Sequence, residues 1–294
     1  MKKTILMAAV IGMVLSACEK PLAFIDEESG EPTENVMQKK FTFTIKGDFN
    51  KPIFKAQRRA YLQADGKDMT DLWVFDYVNG SCVQSLHQVA EDEDFGRPTM
   101  SLSYGTHHVY FVASRGAEPA IDMDTHIITW TTVRDTFWKD YEVEVVQTSN
   151  GNRAVTLDRV VTKLRVAPTD KVPASIASLS VTPDTWYYGL DFVAGTPTNG
   201  QKKEISVNVP DSYIGTTGEL SLSAFGMSGA DEWTTDVAVQ AKDGTGAVIG
   251  SASITSAPFK ANRSTEYSGE LFGKSGSTNV SLNSVWSDPV IGTW

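Results

Sequence analysis

The sequence predicts an all-β protein built of two sandwich domains. Short runs in which apolar and polar residues alternate recur along most of the chain, the pattern of half-buried strands. The 23 glycines and 12 prolines punctuate those runs, and no long segment holds a helical period. Apolar residues make up 41% of the chain and include 7 Trp, 13 Phe and 9 Tyr, enough to build cores without cross-links.

The chain opens with Lys2 and Lys3, an apolar run over residues 5–15, and small residues after it. That is the layout of a secretory signal peptide. The run is far shorter than the roughly 20 residues a membrane-spanning helix needs. The residues that close it, Leu15-Ser16-Ala17-Cys18, resemble a bacterial lipobox. The resemblance implies diacylglycerol on the Cys18 thiol, cleavage after Ala17 and acylation of the new amino terminus. Residues 1–17 are then a removable address, and the mature protein hangs from a membrane by lipid on Cys18. Residues 18–38 form a flexible tether, acidic, with Pro21, Pro32 and Gly30 and no sustained period.

Strand patterning begins at residue 40. Phe41, Phe43 and Ile45 alternate with Thr42 and Thr44, and 47–52 breaks the run. Residues 72–78 (LWVFDYV) are apolar on both faces except at Asp76, which suits a central strand covered on both sides. Asn79-Gly80 after it is a two-residue hairpin turn, with 82–89 as the return strand. Met100, Leu102 and Tyr104 alternate with serines; 107–114 and the run through Tyr141, Val143 and Val145 are further strands. Residues 131–138 are expected to hold a short helix. The break at 147–152 divides an N-terminal sandwich, 39–150, from a C-terminal one, 151–294. In the second, 153–168 and 176–183 flank a turn, and alternation continues through Ile205/Val207/Val209, Leu220/Leu222/Ala224, Val237/Val239/Ala241 and Tyr267/Leu271. Asp243-Gly244 marks another hairpin turn.

Charge and residue types narrow the function. The chain carries 26 Lys+Arg against 36 Asp+Glu, a net charge of −10, which repels phosphate backbones and argues against a nucleic-acid partner. Two cysteines are present; with Cys18 lipidated, no intrachain disulfide is expected, and Cys82 reads as structural. Adjacent His107 and His108 point to opposite faces of a strand, and no metal-binding spacing is present. Glu91-Asp92-Glu93-Asp94 lacks the rest of a calcium loop and reads as a solvated turn. No nucleophile elbow or phosphate loop occurs. No catalytic, metal or cofactor site is expected. The seven tryptophans read mainly as core, with a sugar-stacking platform as the alternative. Arg58-Arg59, in a loop between strands, is a candidate proteolytic processing site.

The segment Val155 to Val166, with Arg159, Val160, Val161, Lys163, Leu164 and Val166, resembles the opening of the second domain in the Bacteroidetes fimbrillin superfamily. So do 176–181 followed by Tyr188-Gly189-Leu190-Asp191-Phe192, and 267–272 followed by 280–286. The likeness is to the group of FimB/Mfa2-type anchor and accessory lipoproteins. It implies two tandem transthyretin-like β-sandwiches and a structural, non-enzymatic role in a fimbrium at the outer membrane. It also implies other fimbrial subunits as partners, joined by strand donation. In stalk subunits of that superfamily an Arg-specific cut removes the first strand. Here a cut after Arg58 or Arg59 would discard 41–45 together with the lipid, so an anchor is expected to escape it. Pro289 and the short tail after Trp286 make a donated strand from that end unexpected. A surface glycan-binding β-sandwich lipoprotein is the alternative reading.

Overall fold

The computed structural model describes residues 37–47, 60–61, 69–115, 119–272 and 290–293. Among them the regular structure is β-strand, apart from one 3-10 turn at Asp211–Tyr213. The first half of the chain gives β1 (Gln38–Gly47), β2 (Ala60–Tyr61), β3 (Asp71–Val78), β4 (Ser81–Val89), β5 (Thr99–Ser103), β6 (Gly105–Ser114), β7 (Ala120–Asp122), β8 (Ile127–Thr129) and β9 (Thr136–Val145). Then follow β10 (Asn152–Thr156), β11 (Asp158–Arg159), β12 (Val161–Pro168), β13 (Ile176–Pro183), β14 (Trp186–Asp191), β15 (Thr196–Gln201) and β16 (Ile205–Asn208). The last are β17 (Leu222–Met227), β18 (Trp233–Asp243), β19 (Val248–Phe259), β20 (Ser264–Gly269) and β21 (Val290–Thr293).

The first sandwich faces a sheet of β10, β1, β2 and β5 against a five-stranded sheet ordered β11-β9-β6-β3-β4. The second faces β17-β12-β20-β21 against β16-β13-β18-β19. A further sheet, β15-β14-β8-β7, links the halves, because β8 leaves the first half to pair with β14 and carries β7 on its other edge. β10 and β11 lie beside β1 and β9, so the chain is still within the first sandwich's sheets as it crosses residue 150.

β3 explains its own composition. Leu72 and Val74 face the core shared with β1, while Trp73, Phe75 and Tyr77 face the core of the second half. Both faces are therefore apolar, and β6 and β4 pair with its two edges. Asn79 and Gly80 follow with φ of 50° and 76°, the positive values a type I′ turn requires. At the β18–β19 hairpin, Asp243 Oδ1 accepts from the Thr245 and Ala247 amides at 2.9 and 3.0 Å. Hydrogen bonds from Thr245 and neighbouring amides hold that carboxyl below the usual aspartate range.

The expected helix at 131–138 is not formed. Residues 131–135 are irregular, and β9 starts at Thr136 and pairs with β6 over ten positions. Three β-branched residues in a row (Thr131, Thr132, Val133) disfavour helix, and the long ladder decides the rest. Two contacts seat β9 against the second half. Trp138 Nε1 donates to the Phe192 carbonyl at 2.7 Å. Gly195, at φ 68°, lies so close that a Cβ there would sit 2.5 Å from the Trp138 ring.

Candidate functional site

β1 is the strand between the two segments that the sequence singles out, Cys18 and Arg58-Arg59. Its period of two puts Phe41, Phe43 and Ile45 on one face, and all three are fully buried. Phe43 packs edge-on to Phe111 at 5.2 Å and to Tyr141 at 6.0 Å between ring centroids. Burying each of the three side chains is worth roughly 1.5–3 kcal/mol. The strand is paired along both edges. Thr42 to Lys46 run parallel to Asn152 to Thr156 of β10. On the other edge Gln38 to Thr42 oppose Ser103 to Thr99 of β5, and Lys46-Gly47 oppose β2. The Phe43 and Ile45 amides donate to the Pro98 and Gly96 carbonyls at 2.9 and 3.0 Å. Taking β1 away would therefore open an apolar slot, walled by the strand edges of β10 and β5, of the kind that accepts a strand from another chain.

The sequence sets how tightly β1 docks. The Thr42 amide donates to the Gly151 carbonyl at 2.7 Å. A Cβ on Gly151 would lie 2.2 Å from the Lys40 carbonyl oxygen, a backbone atom with no rotamer to move. Glycine at 151 is what lets the two segments approach.

Cys18, Arg58 and Arg59 lie outside the described residues, as do Trp286, Trp294 and 280–286. Cys82 is half-buried, its Sγ 3.6 Å from the Gln84 carbonyl. Asp92, in the acidic turn, accepts from the Val89 amide at 2.8 Å and so holds its own loop. Among the described residues no group of three His, Cys, Asp or Glu side chains is arranged to hold a metal. None of the described tryptophans is exposed: Trp130 and Trp186 are in the core, Trp73 stacks on His87, and Trp233 packs on Trp186 and Phe259. β21 pairs parallel with β20, at the edge of this chain's own second sandwich.

One constellation was not legible in the sequence. Asp76, the polar residue inside the β3 run, takes a hydrogen bond from His107 Nδ1 at 2.7 Å, and both are 1% exposed. His107 Nε2 lies 3.1 Å from Ser103 Oγ and 2.9 Å from the Ser103 carbonyl. A Ser–His–Asp order is present, but the geometry does not suit catalysis. A carbonyl oxygen at 2.9 Å needs a proton on Nε2, so the ring has no lone pair with which to activate the serine. Burial alone would lower the His107 pKa; the Asp76 carboxylate and the Ser103 carbonyl outweigh it and raise it above 6.5. The pair is a buried ionic clamp that ties β3 to β6 and to the end of β5.

The segment that carries the family resemblance has a comparable role. Val161, Leu164 and Val166 are fully buried. Arg159 grips Asp135 with Nε to Oδ1 at 2.7 Å and a second nitrogen to Oδ2 at 3.0 Å. It also reaches Asn262 Oδ1 at 2.9 Å and lies over the Phe137 ring. One guanidinium thus joins β9, β11 and the loop before β20.

No protein-family model matches the sequence, and no curated protein sequence matches it. Solved structures of similar fold include a candidate adhesin from Bacteroides ovatus, at 12% identity and a TM-score of 0.48, covering 74% of this chain and 77% of that one. The fimbrial anchor protein Mfa2 from Porphyromonas gingivalis is 10% identical, with a TM-score of 0.42, over 73% of this chain and 82% of its own. A fimbrial assembly protein from Parabacteroides distasonis is 11% identical, with a TM-score of 0.41, over 80% and 92%. Each likeness is one of fold, at low identity.

Proposed function

We propose that this chain is a structural lipoprotein of the cell surface, an anchor or accessory subunit of a fimbrium, held at the outer membrane by lipid on Cys18. The observation that carries the reading is β1. It is an interior strand, paired on both edges, and it stands between the lipid-bearing cysteine and the Arg58-Arg59 bond. Cleavage at that bond would release lipid and strand together, and would leave the first sandwich open. A subunit that keeps both stays attached and closed, which is what the base of a fibre requires. The fimbrial anchor and assembly proteins among the structural neighbours are of the kind the sequence resemblance implies. The role needs no catalytic group.

Cys18→Ala tests the lipid half of the proposal. The variant is expected to leave the membrane fraction, because two or more acyl chains hold a protein firmly and none does not. Fibres should then appear in the medium rather than on cells. Full membrane retention of Cys18→Ala through high-salt washing would contradict it.

A further inference from the structure

The chain holds three Asn-Gly pairs: Asn79-Gly80, Asn150-Gly151 and Asn199-Gly200. All three asparagines are exposed. Asparagine is a thermolabile residue, and a glycine after it leaves the following nitrogen unshielded by a Cβ. The fold treats the three pairs differently. Asn79 and Asn199 are left-handed, with φ of 50° and 57°. In that region ψ is about +47°, which sets the glycine nitrogen anti to Cβ and out of the side chain's reach. The turn between β3 and β4 holds Asn79 so, and the β14–β15 ladder holds Asn199, with Gly200 opposite Tyr187. Asn150 is not left-handed, and it lies in the irregular stretch between β9 and β10.

Two hydrogen bonds prepare Asn150 for reaction with its neighbour. The Asn152 amide donates to Asn150 Oδ1 at 3.0 Å. That bond closes a ring of which the Gly151 nitrogen is a member, and it makes Cγ more electrophilic. Arg153 Nη1 donates to the main-chain carbonyl of Asn150. This carbonyl and the Gly151 nitrogen form one conjugated peptide group, so a cation on the oxygen makes the N–H more acidic. The guanidinium is itself placed, 5.2 Å from the centre of the Phe41 ring. The Gly151 N–H donates to no group among the described residues.

We propose that Asn150-Gly151 is a site of spontaneous self-modification, at which Asn150 is converted to aspartate and isoaspartate and the seat of β1 is loosened. The Gly151 nitrogen gives its proton to solvent hydroxide and bonds to Cγ of Asn150. The Cγ–Nδ2 bond breaks, and ammonia leaves with a proton from water, which restores the hydroxide. A second water then opens the cyclic imide. Opening at the side-chain carbonyl gives aspartate; opening at the main-chain carbonyl gives isoaspartate, with a methylene inserted in the backbone just before Gly151. The Gly151 carbonyl accepts from the Thr42 amide at 2.7 Å, so the insertion falls where β1 docks. The site is independent of the fimbrial reading and of lipid attachment.

The full-length mature protein in detergent, kept in mildly alkaline heavy-oxygen water and mapped by peptide mass spectrometry, tests the proposal. Heavy oxygen should enter at Asn150 at least fivefold faster than at Asn79 or Asn199, and an isoaspartyl methyltransferase should label the 150 peptide. In urea the three rates should become equal within twofold. Arg153→Gln should slow the reaction at Asn150 at least threefold and leave Asn79 and Asn199 unchanged. Hydrogen exchange at the Thr42 amide should rise in the isoaspartate fraction and stay at the wild-type rate in Asn150→Asp, which has no added methylene. A native rate at Asn150 no greater than at the other two, or the same selectivity in urea, would overturn the proposal. So would a wild-type rate in folded Arg153→Gln. Unchanged exchange at Thr42 in the isoaspartate fraction would overturn the link to β1.

Discussion

Gly151→Ala probes the docking of β1 at a single methyl group. The new Cβ would sit 2.2 Å from the Lys40 carbonyl oxygen, about 0.8 Å inside the 3.0 Å that real Cβ contacts respect. Both partners are backbone, so β1 must move as a strand. That motion strains the Thr42–Gly151 hydrogen bond and draws Phe41 and Phe43 out of register with their pocket. Overpacking of this kind costs about 1–3 kcal/mol. Against it stands the loss of chain freedom in the unfolded state, which by itself would make Ala stabilising by about 0.4–1 kcal/mol. The net expectation is destabilisation on the order of 1–2 kcal/mol, confined to the first sandwich. Gly244→Ala is the control, because nothing lies within 4 Å of its Cβ position; it should be neutral to slightly stabilising. Amide hydrogen exchange resolves the two outcomes by location. Protection at the Thr42, Phe43 and Ile45 amides should fall in Gly151→Ala and hold in Gly244→Ala. Unchanged exchange and unchanged stability in Gly151→Ala would refute the claim that close approach at this glycine seats β1.

Two further perturbations follow from buried charge. The raised His107 pKa means its contribution to stability is complete below pH 6.5 and is lost as pH rises through the folded value. Urea midpoints of the first sandwich should therefore fall on the alkaline side, and Asp76→Asn should flatten that dependence; an unchanged pH profile in Asp76→Asn would contradict the ionic clamp. Arg159→Lys keeps the charge but loses the two-nitrogen grip on Asp135 and the reach to Asn262. Its expected cost is about 1.5–3 kcal/mol, and a wild-type urea midpoint would show that the guanidinium fork is not needed.

The parts of the fold that were legible in the sequence are those set by local rules. Alternation at Phe41, Phe43 and Ile45 marked the buried face of β1 because side chains in a strand repeat every two residues. The two-sided apolar run at 72–78 marked β3 as central, and Asn79-Gly80 gave the turn through its positive φ values. What was hidden depends on distant pairing. β8 joins β14 some sixty residues away, which no local pattern encodes. Alternation at Ile205, Val207 and Val209 did not reveal that Val207 is exposed, because β16 is an edge strand. The Asp76–His107 clamp joins residues 31 positions apart. A lone Asp in an apolar strand was the available signal for the clamp; Arg159 stood in the resembling segment with its partner unannounced.

The mature amino terminus of the protein on intact cells tests the central claim most directly. Mass spectrometry of the surface-exposed chain should find it beginning at an acylated Cys18, with residues 41–45 still attached. A terminus at Arg59 or Ala60 would mean that β1 and the lipid leave together, and the chain would then be a strand-accepting stalk or tip subunit rather than an anchor.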